Sequence, residues 1–114
     1  MATNVLVNSV SGGGNPLMNV IIGSYTGNGG DSANKQTINI WKKPRAVFLQ
    51  GEHKSTFCSY NGRIITNFLF TEATNWEGFS FTNNGFAVGN IEKDGYGPNY
   101  INSENKTYTY IAFV

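Results

Sequence analysis

Short runs of β-branched and aromatic residues recur along the chain between clusters of Gly, Asn, Asp and Pro, and this spacing predicts an all-β protein without helices. No window of a dozen residues keeps a helical period without a Gly or Pro inside it. Val5 to Val10 reads as a first apolar strand, ended by Ser11-Gly12-Gly13-Gly14-Asn15-Pro16. That link leaves the first strand free to pair elsewhere or with another subunit. Met18 to Tyr25 reads as a second strand, and Gln36 to Trp41 as a third, with Ile38 and Ile40 on one face and Thr37 and Asn39 on the other. Pro44 breaks the chain before Ala46-Val47-Phe48-Leu49, an almost continuous apolar run that suits a buried central strand.

The second half follows the same logic. Gly51 to Asn61 is polar and aromatic, and Asn61-Gly62 is a hairpin-type turn into Arg63 to Phe70, where Ile64, Thr66, Phe68 and Phe70 share a face. Phe79 to Thr82 turns through Asn83-Asn84-Gly85 into Phe86-Ala87-Val88, the clearest hairpin in the chain. A long loop from Glu92 to Asn105 then launches Thr107 to Val114. Tyr108, Tyr110, Ala112 and Val114 face one way in that strand, and Thr109, Ile111 and Phe113 the other. Both faces are apolar, so it belongs in the middle of a sheet or at a subunit interface. The sum is about eight strands in an antiparallel β-sandwich, such as a jelly roll, or a flattened barrel.

Composition sharpens this picture. At 114 residues the chain holds one domain, read as a β-sandwich over 17–114 behind an N-terminal docking or strand-exchange segment, 1–16. With 16 Asn and 14 Gly, turn-forming residues interrupt every candidate helix. A hydrophobic fraction of 39% with a net charge of +1 excludes disorder. The same neutrality speaks against nucleic acid as a partner, because Lys42, Lys43 and Arg45 form the one close basic group, and they read as flanking a strand. A single cysteine, Cys58, builds no internal disulfide, and with only His53 nearby it builds no structural zinc site. The first 25 residues lack the pattern of a signal peptide, and no apolar run suits a membrane span, so synthesis in a reducing cytoplasm and no membrane partner are expected.

Catalytic patterns are thin. His53 near Cys58 is the sole nucleophile–base pairing, and nothing in the sequence orients the imidazole. Glu72 and Glu77 flank Trp76, and Glu92 lies beside Asp94, but solvated loop acids read more plainly than a glycosidase pair. The tract Gly27 to Gly30 lacks the Lys-Ser/Thr of a phosphate loop, and Asn28 to Asn34 lacks the terminal acid of a calcium loop. The expectation is therefore a protein that is not an enzyme and holds no metal or cofactor. What remains is a binding surface: Trp76, Tyr60, Tyr96, Tyr100 and His53 fall in turn-rich segments with Asp94, where rings and polar groups can stack on and hydrogen-bond to a sugar or a protein. The alternative is that these rings cap the ends of the core.

Several segments in order carry a resemblance: Gly23-Ser24-Tyr25-Thr26-Gly27-Asn28-Gly29, Gln36-Thr37-Ile38-Asn39-Ile40, Lys43-Pro44-Arg45-Ala46-Val47, Asn84-Gly85-Phe86-Ala87-Val88, and Asn105 to Phe113. Over residues 20–114 the chain resembles a small β-sandwich domain of tailed-bacteriophage virion proteins, found in tail or head fibres and other appendages. It is also similar to the H-type lectin domain, in which a Pro-x-Val strand and a later Gly-Phe-x-Val strand hold similar places. The resemblance implies a homotrimer carried on the virion, in contact with other virion proteins and with a host surface glycan or protein. It also implies a non-enzymatic role in host attachment, as a fibre, capsid decoration or tail accessory subunit. A stand-alone carbohydrate-binding module is the alternative. Val5, Leu6, Val7, Tyr108 and Tyr110 are the expected docking and oligomerisation positions, and no lectin sugar contact carries over onto Tyr108 to Phe113.

Overall fold

Alternation of apolar and polar residues becomes strand wherever the turn chemistry on either side permits. The computed structural model describes residues 3–10, 16–50, 58–60, 63–65, 67–74, 76–91 and 100–114. Among them the elements are β1 (Thr3–Val10), β2 (Pro16–Thr26), β3 (Gln36–Asn39), β4 (Ala46–Gln50), β5 (Cys58–Tyr60), β6 (Arg63–Ile65), β7 (Asn67–Thr71), β8 (Phe79–Thr82), β9 (Gly85–Val88) and β10 (Thr107–Phe113). The described residues contain no helix. The chain is all-β, and its strands pair antiparallel throughout.

One sheet has five strands in the order β1-β2-β10-β4-β7, and a second has three in the order β3-β9-β8. The doubly apolar strand expected in mid-sheet is β10, which lies between β2 and β4. Tyr110 pairs across to Gly23 on one side and Leu49 on the other. The first strand finds its partner within the chain, since Val5, Leu6 and Val7 pair with Ile22, Ile21 and Val20. This leaves β1 at the edge of the sheet.

The stretch expected as one strand, Arg63 to Phe70, serves two ladders. Its first part, β6, pairs with β5 in a separate two-stranded sheet, and its second part, β7, pairs with β4. Strand β5 falls in the polar stretch where sequence alone gave no strand, because Cys58-Ser59-Tyr60 carries no clean alternation. Thr82 pairs with Gly85 around Asn83-Asn84, as the hairpin reading expects. Gly85 has a separate reason to be glycine: a Cβ there would stand 2.0 Å from the Ile38 carbonyl oxygen of the neighbouring strand β3.

The two larger sheets share one core, built largely of rings. Phe70 of β7 stacks on Phe79 of β8, with centroids 3.9 Å apart and planes 3° apart. Phe79 stacks in turn on Phe86, which meets Tyr110 edge-on at 5.1 Å and Tyr25 at 6.2 Å. Each such pair contributes about 0.5–1.5 kcal/mol beyond its buried area. Ile21, Ile38, Val47, Leu49, Val88 and Ala112 fill the space between.

The opposite side of the five-stranded sheet carries an apolar row. In register across four strands run Ile22, Ile111, Phe48 and Leu69. Val47, Leu49, Tyr110 and Ala112 point into the core, so pleat alternation turns Phe48 and Ile111 to the other face. Leu69 is 50% exposed and Ile22 38%.

Candidate functional site

Of the expected binding residues, the structure describes the side chains of Trp76 and Tyr100. Trp76 is half-buried, its ring 4.4 Å from that of Phe68 and edge-on to Phe70 at 5.4 Å. It is packed against the core. Tyr100 is half-buried, and its carbonyl accepts a hydrogen bond from the Tyr108 hydroxyl at 3.1 Å. Tyr60 pairs with Arg63 at the end of β5, while His53, Asp94 and Tyr96 lie outside the described residues. So do Glu92 and the partner that would complete a Cys58–His53 pair.

Of the docking positions, Val5, Leu6 and Val7 lie on the edge strand β1. Tyr108 and Tyr110 point inward instead. Tyr108 stacks on Tyr25 with centroids 5.1 Å apart, and Tyr110 is fully buried. Any partner that meets β10 therefore meets the side chains of its other face, Thr109, Ile111 and Phe113. Burial has a chemical consequence for these phenols. Desolvation pushes Tyr110 up to about 12, and desolvation followed by the neighbouring Tyr108 and Tyr110 raises Tyr25 well above the ordinary range.

A polar pocket of about 500 Å³ forms where the Gly-Asn loop after β2 meets the segment after β9. Gly29, Gly30, Asp31, Ser32, Asn34, Glu77, Asn90 and Ile91 line it. Its walls are stapled by backbone: Asn90 N–H donates to Gly30 O at 2.9 Å, and Ser32 N–H donates to Asn90 O at 3.0 Å. Behind it Asn102 is completely buried. Its Oδ1 accepts from Asn28 N–H at 3.1 Å, and its Nδ2–H donates to Asn28 Oδ1 at 2.8 Å and to Gly30 O at 3.1 Å. A buried amide with these bonds holds the loop in one shape. Gly27 belongs to the same clamp, because a Cβ there would stand 2.0 Å from Ser103 O. Asp31 Oδ1 accepts from Ala33 N–H and Asn34 Nδ2–H, so the rim combines carboxylate, amide and backbone groups that suit a polyhydroxyl ligand. No three potential metal-ligating side chains cluster among the described residues.

A second surface feature lies where β3 gives way to β4. Trp41, expected as the end of a strand, is outside β3 and 72% exposed. Its φ of 63° is in the left-handed region, where a bulky side chain costs of order 1–3 kcal/mol. Local polar bonds hold it there: Trp41 N–H donates to Asn39 Oδ1 at 2.8 Å, and buried Ile40 donates its N–H to Asn84 O at 2.8 Å. On the far side Pro44 is buried and Arg45 N–H donates to Phe113 O at 2.6 Å. Lys42, Lys43 and Arg45, one, two and four positions on in the chain, are exposed as well. Sequence reasoning missed this grouping because Trp extends the alternation of Ile38 and Ile40. The basic residues immediately after it were the available signal.

No family model, curated protein or solved structure matches the chain. The function must therefore be argued from the fold and from these surfaces.

Proposed function

We propose that the chain is a non-enzymatic structural subunit of a tailed-bacteriophage virion, displayed on the particle surface as a fibre, decoration or tail accessory element and contributing to host attachment. In this reading its two facing sheets form an antiparallel β-sandwich, and the subunit assembles as a homotrimer. The observation that carries the reading is the apolar row Ile22, Ile111, Phe48 and Leu69 on the side of the five-stranded sheet away from the core. Apolar side chains aligned across four strands are what a buried subunit contact needs and what a solvated face avoids. The edge strand β1 adds a line of backbone groups to which a neighbouring chain can pair. The resemblance to virion appendage domains points the same way.

Light scattering on the purified protein tests it. A mass of about three chains is expected, falling to one chain for the double variant Ile22→Asp and Leu69→Asp with its circular dichroism unchanged. A monomeric parent chain would overturn the trimer. Retention of both assembly and particle incorporation after deletion of residues 1–16 would overturn the docking role of β1.

The polar pocket at Gly29 to Asn34 favours a second reading, a stand-alone carbohydrate-binding module. A glycan array without a hit at high protein concentration would remove it.

A further inference from the structure

We infer that Trp41, Lys42, Lys43 and Arg45 form a binding platform for an acidic polysaccharide, a polymer of hexose rings that bear carboxylates. None of these four residues is among those expected from sequence to bind a ligand. Trp41 is the most exposed of the large apolar side chains of the described residues, and it is held in a left-handed backbone conformation that a glycine would occupy without strain. A bulky ring retained in such a place serves a purpose other than stability.

The mount is rigid on both sides. Ile40 and Pro44 are buried, and the N–H groups of Ile40, Trp41 and Arg45 are all hydrogen-bonded. A ring presented this way loses little freedom when a ligand covers it. The indole offers a flat apolar surface for the C–H face of a pyranose ring, and the three exposed cations that follow it within four residues offer charge for carboxylates along the polymer.

Charge and geometry select among anionic ligands. The whole chain carries a net charge of +1, so this patch concentrates positive charge that the rest of the surface lacks. Three cations are fewer than the phosphate contacts that give nucleic acids their affinity, and a nucleic-acid strand stacks on successive rings where this site has one. One indole is also a small apolar footprint for a bilayer, which takes a whole amphipathic face. A saccharide matches a single ring flanked by a few charges.

The inference rests on the attachment reading, and the two fail separately. Polygalacturonate is the probe, with neutral dextran, a single-stranded oligothymidylate and anionic phospholipid vesicles as competitors, and binding is followed by calorimetry and tryptophan fluorescence. Polygalacturonate is expected to bind and dextran not to. Trp41→Ala weakens binding about tenfold or more, and Trp41→Phe retains most of it. The triple variant Lys42→Gln, Lys43→Gln and Arg45→Gln weakens binding and flattens its salt dependence. Trp76→Phe leaves the fluorescence response in place, since the responding ring is Trp41. Equal binding by the parent and Trp41→Ala, or tighter binding of the oligonucleotide or the vesicles, overturns the inference. A trimer that incorporates into particles but ignores polygalacturonate overturns it while sparing the virion reading. A monomer that binds polygalacturonate through Trp41 does the reverse.

Discussion

Asn28 and Asn102, 74 residues apart, bond reciprocally: the Asn102 Nδ2–H donates to Asn28 Oδ1 at 2.8 Å while the Asn28 backbone N–H donates to Asn102 Oδ1 at 3.1 Å. One side chain thereby satisfies three groups of the Gly-Asn loop, Gly30 O being the third. Asn102→Ala removes all three bonds from this part-buried place, leaving Asn28 Oδ1 only the Gly30 N–H. The expected cost is about 2–3 kcal/mol, read by urea denaturation. Asn102→Asp does not rescue it, because a carboxylate cannot donate to Asn28 Oδ1 or Gly30 O.

The core tyrosines give a paired prediction of opposite sign. The Tyr25 hydroxyl donates to Ile101 O at 2.6 Å, whereas the buried Tyr110 hydroxyl has no hydrogen-bond partner among the described residues. Tyr25→Phe is expected to lose about 1–2 kcal/mol, and Tyr110→Phe to be neutral or stabilising by up to about 1 kcal/mol. Thermal melts of the two variants beside the parent decide it. A larger loss for Tyr110→Phe would show that its hydroxyl is satisfied in solution.

Alkaline pH follows from the same burial. Tyr110 ionises near 12 in the folded chain and near 10 when unfolded, so above pH 10 the unfolded state binds fewer protons than the folded one. Stability is therefore fully present below pH 10 and falls as pH rises toward 12. Tyr25, raised by the same cause, adds to the slope. Tyrosinate absorbance and circular dichroism should change together in that window. Ionisation of every tyrosine near pH 10 with the fold intact would contradict the burial.

Trp76 is expected to behave as a packing residue first. Its ring lies on Phe68 and Phe70, so Trp76→Ala should lower stability by about 2–3 kcal/mol. Chemical denaturation measures this. Any change in ligand binding by that variant needs to be compared with Trp76→Phe, which keeps a ring in place.

Legibility in the sequence followed period and locality. Thr107 to Val114 is readable as a central strand because its alternation is unbroken and both of its faces are apolar, and the strand observed is Thr107–Phe113; the Phe79 to Val88 hairpin is readable from Asn83-Asn84-Gly85. Gln36 to Trp41 was read two residues too long. Its pattern continues, and what ends it is the Asn39 side chain bonding to Trp41 N–H, a polar contact that alternation does not encode. The polar pocket was hidden for another reason. Residues 29–34, 77 and 90–91 meet only through the topology, and Asn102 reads as one more turn-forming asparagine until the fold buries it. Trp76 showed the limit of inferring exposure from turn-rich surroundings, since aromatic neighbours 6 and 8 positions earlier draw it inward.

The position of β10 also orders events in time. It is the last of these strands to leave the ribosome, yet it supplies the partner for both β2 and β4. Until residues 107–113 emerge, each of those two strands waits with an open hydrogen-bonding edge, and the inward side chains of Tyr25 and Leu49 have no Tyr108 or Tyr110 to pack against. The five-stranded sheet thus closes in one late step rather than by gradual accretion. A nascent chain stalled before β10 is the species most exposed to pairing with its own copies, and a cell that makes this protein in quantity meets that hazard once per molecule.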